Sequence, residues 1–226
     1  LGVIAQETDF IQSELYKNSL ALSKRNDKIL YYDCTNYFFE IEQAEGLKQY
    51  GPSKEHRPNP IVEMGLFMDG DGIPLAFSIH SGNTNEQTTL LHLEQTIMKD
   101  FELSKFVVCT DAGLSSTNNR KFNNKGDRAF ITTQSVKKLK KHLKTWALSD
   151  TGWLLSGDPS KKEYNLTERN SNEDGTSKYQ IATFYKERWI KEDGLEQKLI
   201  VTFSLKYKDY QRQIRSRQIE RAKKLI

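Results

Sequence analysis

Two aspartates stand where a strand would normally refuse them. Asp33 closes the apolar run Ile29-Leu30-Tyr31-Tyr32, and Asp111 closes Phe106-Val107-Val108-Cys109-Thr110. Aspartate is a poor strand former, because its short polar side chain competes for backbone hydrogen bonds. On neighbouring strands the two carboxylates would lie side by side. Their repulsion is then relieved most simply by a divalent cation, which prefers hard oxygen donors. The plainer reading, that each Asp begins a turn, explains either motif alone better than it explains both. Cys34 and Cys109, the two cysteines, are too few for a zinc site or a disulfide scaffold.

The cations are unevenly spread. The net charge is only +4, yet Lys137, Lys138, Lys140, Lys141 and Lys144 crowd one short segment. Arg212, Arg215, Arg217, Arg221, Lys223 and Lys224 crowd the carboxyl end. Taken alone, each stripe reads as a solvated helix face; beside a carboxylate site, a polyanion such as DNA becomes the better reading. No apolar run approaches the roughly 20 residues that cross a bilayer, and the start, Leu1-Gly2-Val3-Ile4, lacks signal-peptide features and an initiator Met. A soluble cytoplasmic protein with no membrane partner is expected. At 226 residues the chain holds one good-sized domain, or one domain carrying an insertion.

The elements that must position the carboxylates follow from periodicity. Thr8 to Arg25 reads as a helix with Phe10, Ile11, Leu15, Leu20 and Leu22 roughly on one face. A strand begins at Lys28. After a Gly/Pro-broken loop from Gly46 to Pro60, a second strand spans Ile61 to Met68, and Asp69-Gly70-Asp71-Gly72 turns it into a third, Ile73 to His80. A helix begins near Thr84, where Thr84 and Gln87 have capping-box spacing. Lys105 to Thr110 is the fourth strand, Asn118 to Phe122 a short helix, and Ala129 to Thr133 the fifth strand. Ser135 is placed to cap a lysine-rich helix. Residues 150–180 are polar and turn-rich; two β-type runs follow, Tyr179 to Tyr185 and Lys198 to Phe203, then a basic helix from Tyr207. Three antiparallel strands followed by alternating helices and strands give an α/β fold: an RNase H-like mixed five-stranded sheet flanked by helices. A β-rich insertion follows the fifth strand, and a basic C-terminal helix ends the chain.

Several motifs in this order resemble the DDE transposases of prokaryotic insertion sequences, the insertion-sequence-4-like group. They are Tyr32-Asp33-Cys34-Thr35-Asn36-Tyr37-Phe38-Phe39-Glu40, Gly51-Pro52-Ser53-Lys54-Glu55-His56-Arg57-Pro58 and Gly65-Leu66-Phe67-Met68-Asp69 through Gly72-Ile73-Pro74-Leu75. Gly82-Asn83-Thr84 and Thr110-Asp111-Ala112-Gly113-Leu114-Ser115-Ser116 complete the set. The resemblance implies metal-dependent DNA strand cleavage and transfer. Asp33 and Asp111 would be the first two of three acids holding two Mg²⁺ or Mn²⁺ ions. Water would nick the element's end, and the freed 3′-hydroxyl would then attack target DNA. Lys54, His56, Arg57, Lys137, Lys138, Lys140, Lys141, Lys144, Arg212 and Arg215 would be the DNA contacts. The partners would be element-end and target DNA and a second copy of the chain, in a prokaryotic, nucleoid-associated setting.

The resemblance also implies a third acid, a Glu in a Tyr-x-x-Arg-x-x-x-Glu helix. Tyr185, Arg188 and Glu192 have that spacing, but Asp193-Gly194 follows at once as a turn and the flanks read as strands. The third acid is therefore expected beyond Ile226, with the chain shortened at both ends and unable alone to cleave DNA at a useful rate. The expected division is an N-terminal helix over 1–27, a catalytic core over 28–148, an insertion over 149–205 and a basic helix over 206–226. Two other readings stay open: a non-catalytic DNA-binding or dimerising remnant, and an RNase H-like nuclease.

Overall fold

Alternation along β1 (Ile29–Phe38) separates two faces. Leu30, Tyr32 and Cys34 are buried, while Tyr31 and Asp33 are exposed. The computed structural model describes residues 2–166 and 181–225, and the chain divides into two units, Leu1–Ser135 and Val136–Ile226.

In the first unit, α1 (Gly2–Gln6) and α2 (Thr8–Leu22) precede β1; β2 (Ile61–Asp69), β3 (Pro74–Ser81) and α3 (Glu86–Asp100) follow it. Then come β4 (Val107–Thr110), α4 (Thr117–Asn123) and β5 (Ala129–Thr132). The sheet order is β3-β2-β1-β4-β5. The first three strands pair antiparallel, and β4 joins β1, and β5 joins β4, in parallel. This is the mixed five-stranded sheet expected from the sequence. Leu90, Leu93 and Ile97 of α3 pack against Leu30, Tyr32, Phe67 and Val108 of the sheet in one core. The turn between β2 and β3 is fixed by Asp69, whose Oδ1 accepts from the Asp71 and Ile73 amides and whose Oδ2 pairs with Arg25 at 2.5 Å. Burial alone would raise this carboxyl. The Arg25 hydrogen bond, the backbone donors and the Arg25 charge together hold it below its ordinary value.

Two local expectations are corrected. On α2 the buried residues are Gln12, Ser13 and Tyr16, while Phe10, Leu15, Leu20 and Leu22 are exposed. Specific partners decide this: Gln12 bonds both the amide and the carbonyl of Phe77, and Tyr16 donates to Asp27 and packs on Phe101. The cap of α3 is Asn85, which accepts from the Gln87 amide, rather than Thr84.

The second unit contains a 3₁₀ turn at Val136–Lys138, α5 (Lys141–Leu148), β6 (Trp153–Leu155), β7 (Glu163–Tyr164), β8 (Thr183–Glu192), β9 (Leu195–Ser204) and α6 (Leu205–Lys223). Its sheet runs β7-β6-β8-β9, with all pairs antiparallel. The lysine-rich helix begins at Lys141, not after Ser135, and Lys140 at its cap makes no side-chain capping bond. The two β-type runs are longer than expected, because Asp193 and Gly194 both take positive φ (50° and 77°) and close a tight hairpin. Residues 179–180 of the first run lie outside the described residues. Trp153 is buried with Phe184 and Leu166, whereas Trp189 is 62% exposed. Among the described residues no helix is long and apolar enough to cross a membrane.

Candidate functional site

The parallel pairing of β1 with β4 sets the geometry. Ile29, Leu30 and Tyr31 pair with Val107, Val108 and Cys109, an offset of 78 positions (107 − 29). Two steps beyond the last pair, the same offset carries Asp33 onto Asp111 (33 + 78 = 111). Strand alternation puts Asp33 on the face of Tyr31, opposite the core, and both aspartates are exposed. Each is held by the main chain: Asp33 Oδ1 accepts from the Cys34 amide at 2.9 Å, and Asp111 Oδ1 from the Gly113 and Leu114 amides at 2.8 and 3.2 Å. The Asp111 bonds form a small turn that ends β4, and Thr132 of β5 donates to the Asp111 carbonyl.

A set of charged residues that sequence reasoning did not assemble surrounds Asp33. Lys54 Nζ donates to the Cys34 carbonyl and lies 4.0 Å from Asp33 Oδ1 and 3.9 Å from Glu86 Oε1. Asn36 holds the lysine's loop, bonding the Pro52 carbonyl and the Lys54 amide. Behind them Glu63 of β2 is buried, with its Oε2 lacking a hydrogen-bond partner. Burial first, and then the Glu86 charge, raise the Glu63 carboxyl to about 7 against the opposing effects of Lys54 and Asn36.

The loop that delivers Lys54 is laid across the sheet end by two glycines. A Cβ on Gly51 would meet the Gly82 carbonyl oxygen, and one on Gly82 would meet the carbonyls of Ile61 and Gln49. Only glycine permits so close a backbone approach. Beside Lys54, His56 has φ of 56°, and Arg57 lies over the Phe38 ring at 4.3 Å and pairs with Glu55.

The remaining sequence candidates lie in the second unit. Lys137 and Lys138 are in the 3₁₀ turn, Lys141 and Lys144 on α5, and Arg212 and Arg215 on α6, a helix with no buried residue. Arg212 is 3.8 Å from Asp209. Glu192 ends β8 and pairs with Lys140 at 3.2 Å. On a strand Tyr185 and Arg188, three apart, point to opposite faces, so the spacing that would align them on a helix does not do so here. Lys140, His142, Arg188, Trp189, Lys191 and Glu192 line a cleft of about 230 Å³.

Exposed carboxylates offer the hard oxygen donors that a divalent cation takes. Among the described residues, no three His, Cys, Asp or Glu side chains gather closely enough to hold an ion without further donors.

The profile of a family described as the transposase DDE domain matches residues 39–218, a span that contains Asp111 and begins just after Asp33. No curated protein matches the chain. Among solved structures, a Mos1 transposase paired-end complex with the left transposon end is 13% identical, with a TM-score of 0.30 over 56% of this chain and 40% of that one. A Mos1 mariner paired-end complex with Mn is also 13% identical, with a TM-score of 0.33 over 55% and 41%. A piggyBac transposase synaptic complex with hairpin DNA is 11% identical, with a TM-score of 0.33 over 76% and 32%. The chain thus spans about two fifths of the length of the Mos1 proteins it resembles.

Proposed function

The chain belongs to the transposase DDE domain family, and we propose that it serves metal-dependent DNA strand cleavage and transfer through Asp33 and Asp111. The observation that supports this reading is the β1–β4 register, whose last pair, Tyr31 with Cys109, lies two residues before each aspartate. Asp33 and Asp111 hold the metal, Mg²⁺ or Mn²⁺, with two ions in the complete site. When bound, the ions activate an attacking oxygen and stabilise the leaving oxygen of an in-line phosphoryl displacement.

The chain's own residues prepare that chemistry. The amides of Cys34, Gly113 and Leu114 fix each carboxylate by one oxygen, so neither must be ordered when a ligand arrives. Thr132 pins the backbone at Asp111 from the next strand. Lys54, His56 and Arg57 contact the DNA backbone from the loop beside Asp33. The basic segments of the second unit, Lys137 to Lys144 and α6, supply further phosphate contacts. The DNA partners are element ends and target, the working form is a homodimer, and the setting is the cytoplasm at the nucleoid. A third acid completes the site, and Glu192, engaged with Lys140 at a strand end, is a poor candidate for it.

Mn²⁺ titration followed by electron paramagnetic resonance tests the reading. Asp33→Asn and Asp111→Asn are each expected to weaken Mn²⁺ binding at least about tenfold, as loss of a charged ligand does. Binding unchanged in both variants would overturn the assignment.

A further inference from the structure

The ammonium of Lys54 occupies a cradle of three oxygens: the Cys34 carbonyl, Asp33 Oδ1 at 4.0 Å and Glu86 Oε1 at 3.9 Å. We propose that Lys54 is an internal placeholder cation, which compensates Asp33 until a divalent ion takes its place and is then retained by Glu86. The inference rests on Asp33 being a metal ligand, as proposed above.

Three features support it. The ammonium is shared almost equally between the two carboxylates, so leaving Asp33 does not require leaving its cradle. Lys54, Asp33 and Glu86 are all partly exposed, with side-chain exposures of 44%, 70% and 36%. Ion pairs of that kind are weak and readily exchanged. What fixes the lysine is mostly uncharged: the Cys34 carbonyl takes its Nζ, and Asn36 ties its loop to β1. The amine is therefore kept close whichever carboxylate it serves.

Glu63 lies behind Glu86 with one buried oxygen lacking a partner, and it feels the charges of both Glu86 and Lys54. Lys54 is thus a positioning residue. It keeps two exposed acids from repelling each other in the metal-free site, and it competes with the metal for Asp33.

The test is Mn²⁺ affinity by electron paramagnetic resonance on the full chain. The variants are Lys54→Gln, Lys54→Arg, Glu86→Gln, the Lys54→Gln/Glu86→Gln double and Asp33→Asn. Lys99→Gln, on the exposed face of α3, makes the same net-charge change elsewhere in the unit. Lys54→Gln is expected to tighten Mn²⁺ binding about two- to fivefold beyond Lys99→Gln, the range an exposed ion pair is worth. Lys54→Arg should restore wild-type affinity. Glu86→Gln should weaken binding more when Lys54 is present than when Lys54 is Gln, because beyond its own charge Glu86 acts through the lysine.

Equal affinities for Lys54→Gln and Lys99→Gln would overturn the proposal. So would a Glu86→Gln effect of the same size in both backgrounds. Wild-type affinity in Asp33→Asn would instead remove the metal assignment at Asp33 and this inference with it. Loss of binding in Asp33→Asn, with no gain in Lys54→Gln, would remove this inference alone.

Discussion

Glu94 has no exposed surface and accepts from Asn123 Nδ2 at 3.0 Å through one oxygen. Its other oxygen is buried without a donor, as are Asn119 Oδ1 and Asn123 Oδ1. Each of these acceptors lacks a donor, and an unsatisfied buried polar atom costs about 1–3 kcal/mol. Burial pushes the Glu94 carboxyl up to about 7, against the Asn123 hydrogen bond and the Arg128 charge, and Glu63 is raised to a similar value. A carboxyl raised by folding binds its proton more tightly in the folded chain. Its stabilising contribution is complete below the unfolded value of 4.5 and is lost as pH rises through about 7. The thermal midpoint is therefore expected to fall between pH 4.5 and about 7.5. Asp69, whose carboxyl is lowered, acts only below that window, where its contribution is lost as acid protonates it. Glu94→Gln replaces the carboxyl by an uncharged amide that does not titrate, and should stabilise the chain by about 1 kcal/mol at pH 8 while flattening the profile. Differential scanning calorimetry across this range checks it. A midpoint that rises with pH in wild type, or a Gln variant with an unaltered profile, would contradict the account.

Between elements, two contacts hold their units in ways that propensity does not encode. In the second unit the buried Lys186 of β8 donates to the Trp146 and Ser149 carbonyls and to Ser149 Oγ, gathering the C-terminal end of α5, and sits 4.4 Å from the centre of the Trp153 ring. Burial pulls its ammonium below the ordinary value. Lys186→Met keeps the stem but strands those acceptors, and a loss of about 1–3 kcal/mol is expected in urea unfolding. No change in midpoint would show that water replaces the ammonium at little cost. In the first unit, Gly82→Ala drives a methyl into the Ile61 and Gln49 carbonyls. An overpacking penalty of about 1–3 kcal/mol should follow in the same experiment, and Gly72→Ala, which meets no neighbour but has positive φ, should cost less. These contacts mark how far the sequence could be read. Period-two alternation located the strands of the first sheet, and their order followed from connection length and strand pairing. The buried face of α2 was misread because Gln12 and Tyr16 earn burial through hydrogen bonds to Phe77 and Asp27, which no apolar periodicity reveals. Asp33 and Asp111 stood out because they offend strand propensity. Lys54 stood out only as a DNA contact, and Glu86 and Glu63 not at all, since the three meet only when the loop carrying Gly51 closes on Gly82, a closure that the two glycines permit but do not announce.

At the scale of the whole molecule, the net charge of +4 conceals an asymmetry that bears on DNA. Lys137, Lys138, Lys141 and Lys144 lie within eight residues of one another, and α6 carries Lys206, Lys208, Arg212, Arg215, Arg217, Arg221 and Lys223 along a helix with no buried residue. Both segments belong to the second unit. A helix with no buried face gains nothing from a core and is suited to a solvated or polyanionic environment. Such cations bind phosphate by releasing condensed counterions, which makes affinity fall with salt roughly as the number of phosphates engaged, with no dependence on base sequence. Duplex binding by the chain should therefore be weak, tolerant of sequence and steep in salt. About six phosphate contacts predict a loss of affinity on the order of a thousandfold between ~50 and ~200 mM salt. Changing Lys137, Lys138, Lys141 and Lys144 together to Gln should lower the slope of log affinity against log salt by about three to four. Asp33→Asn and Asp111→Asn should leave that slope unaltered, since a carboxylate releases no counterion from DNA. Fluorescence anisotropy on two unrelated duplexes at several salt concentrations separates the cases. A slope near zero, or one that the four-lysine variant does not change, would move DNA binding away from this segment. A strong preference for one duplex would require a base-reading element that neither basic segment supplies.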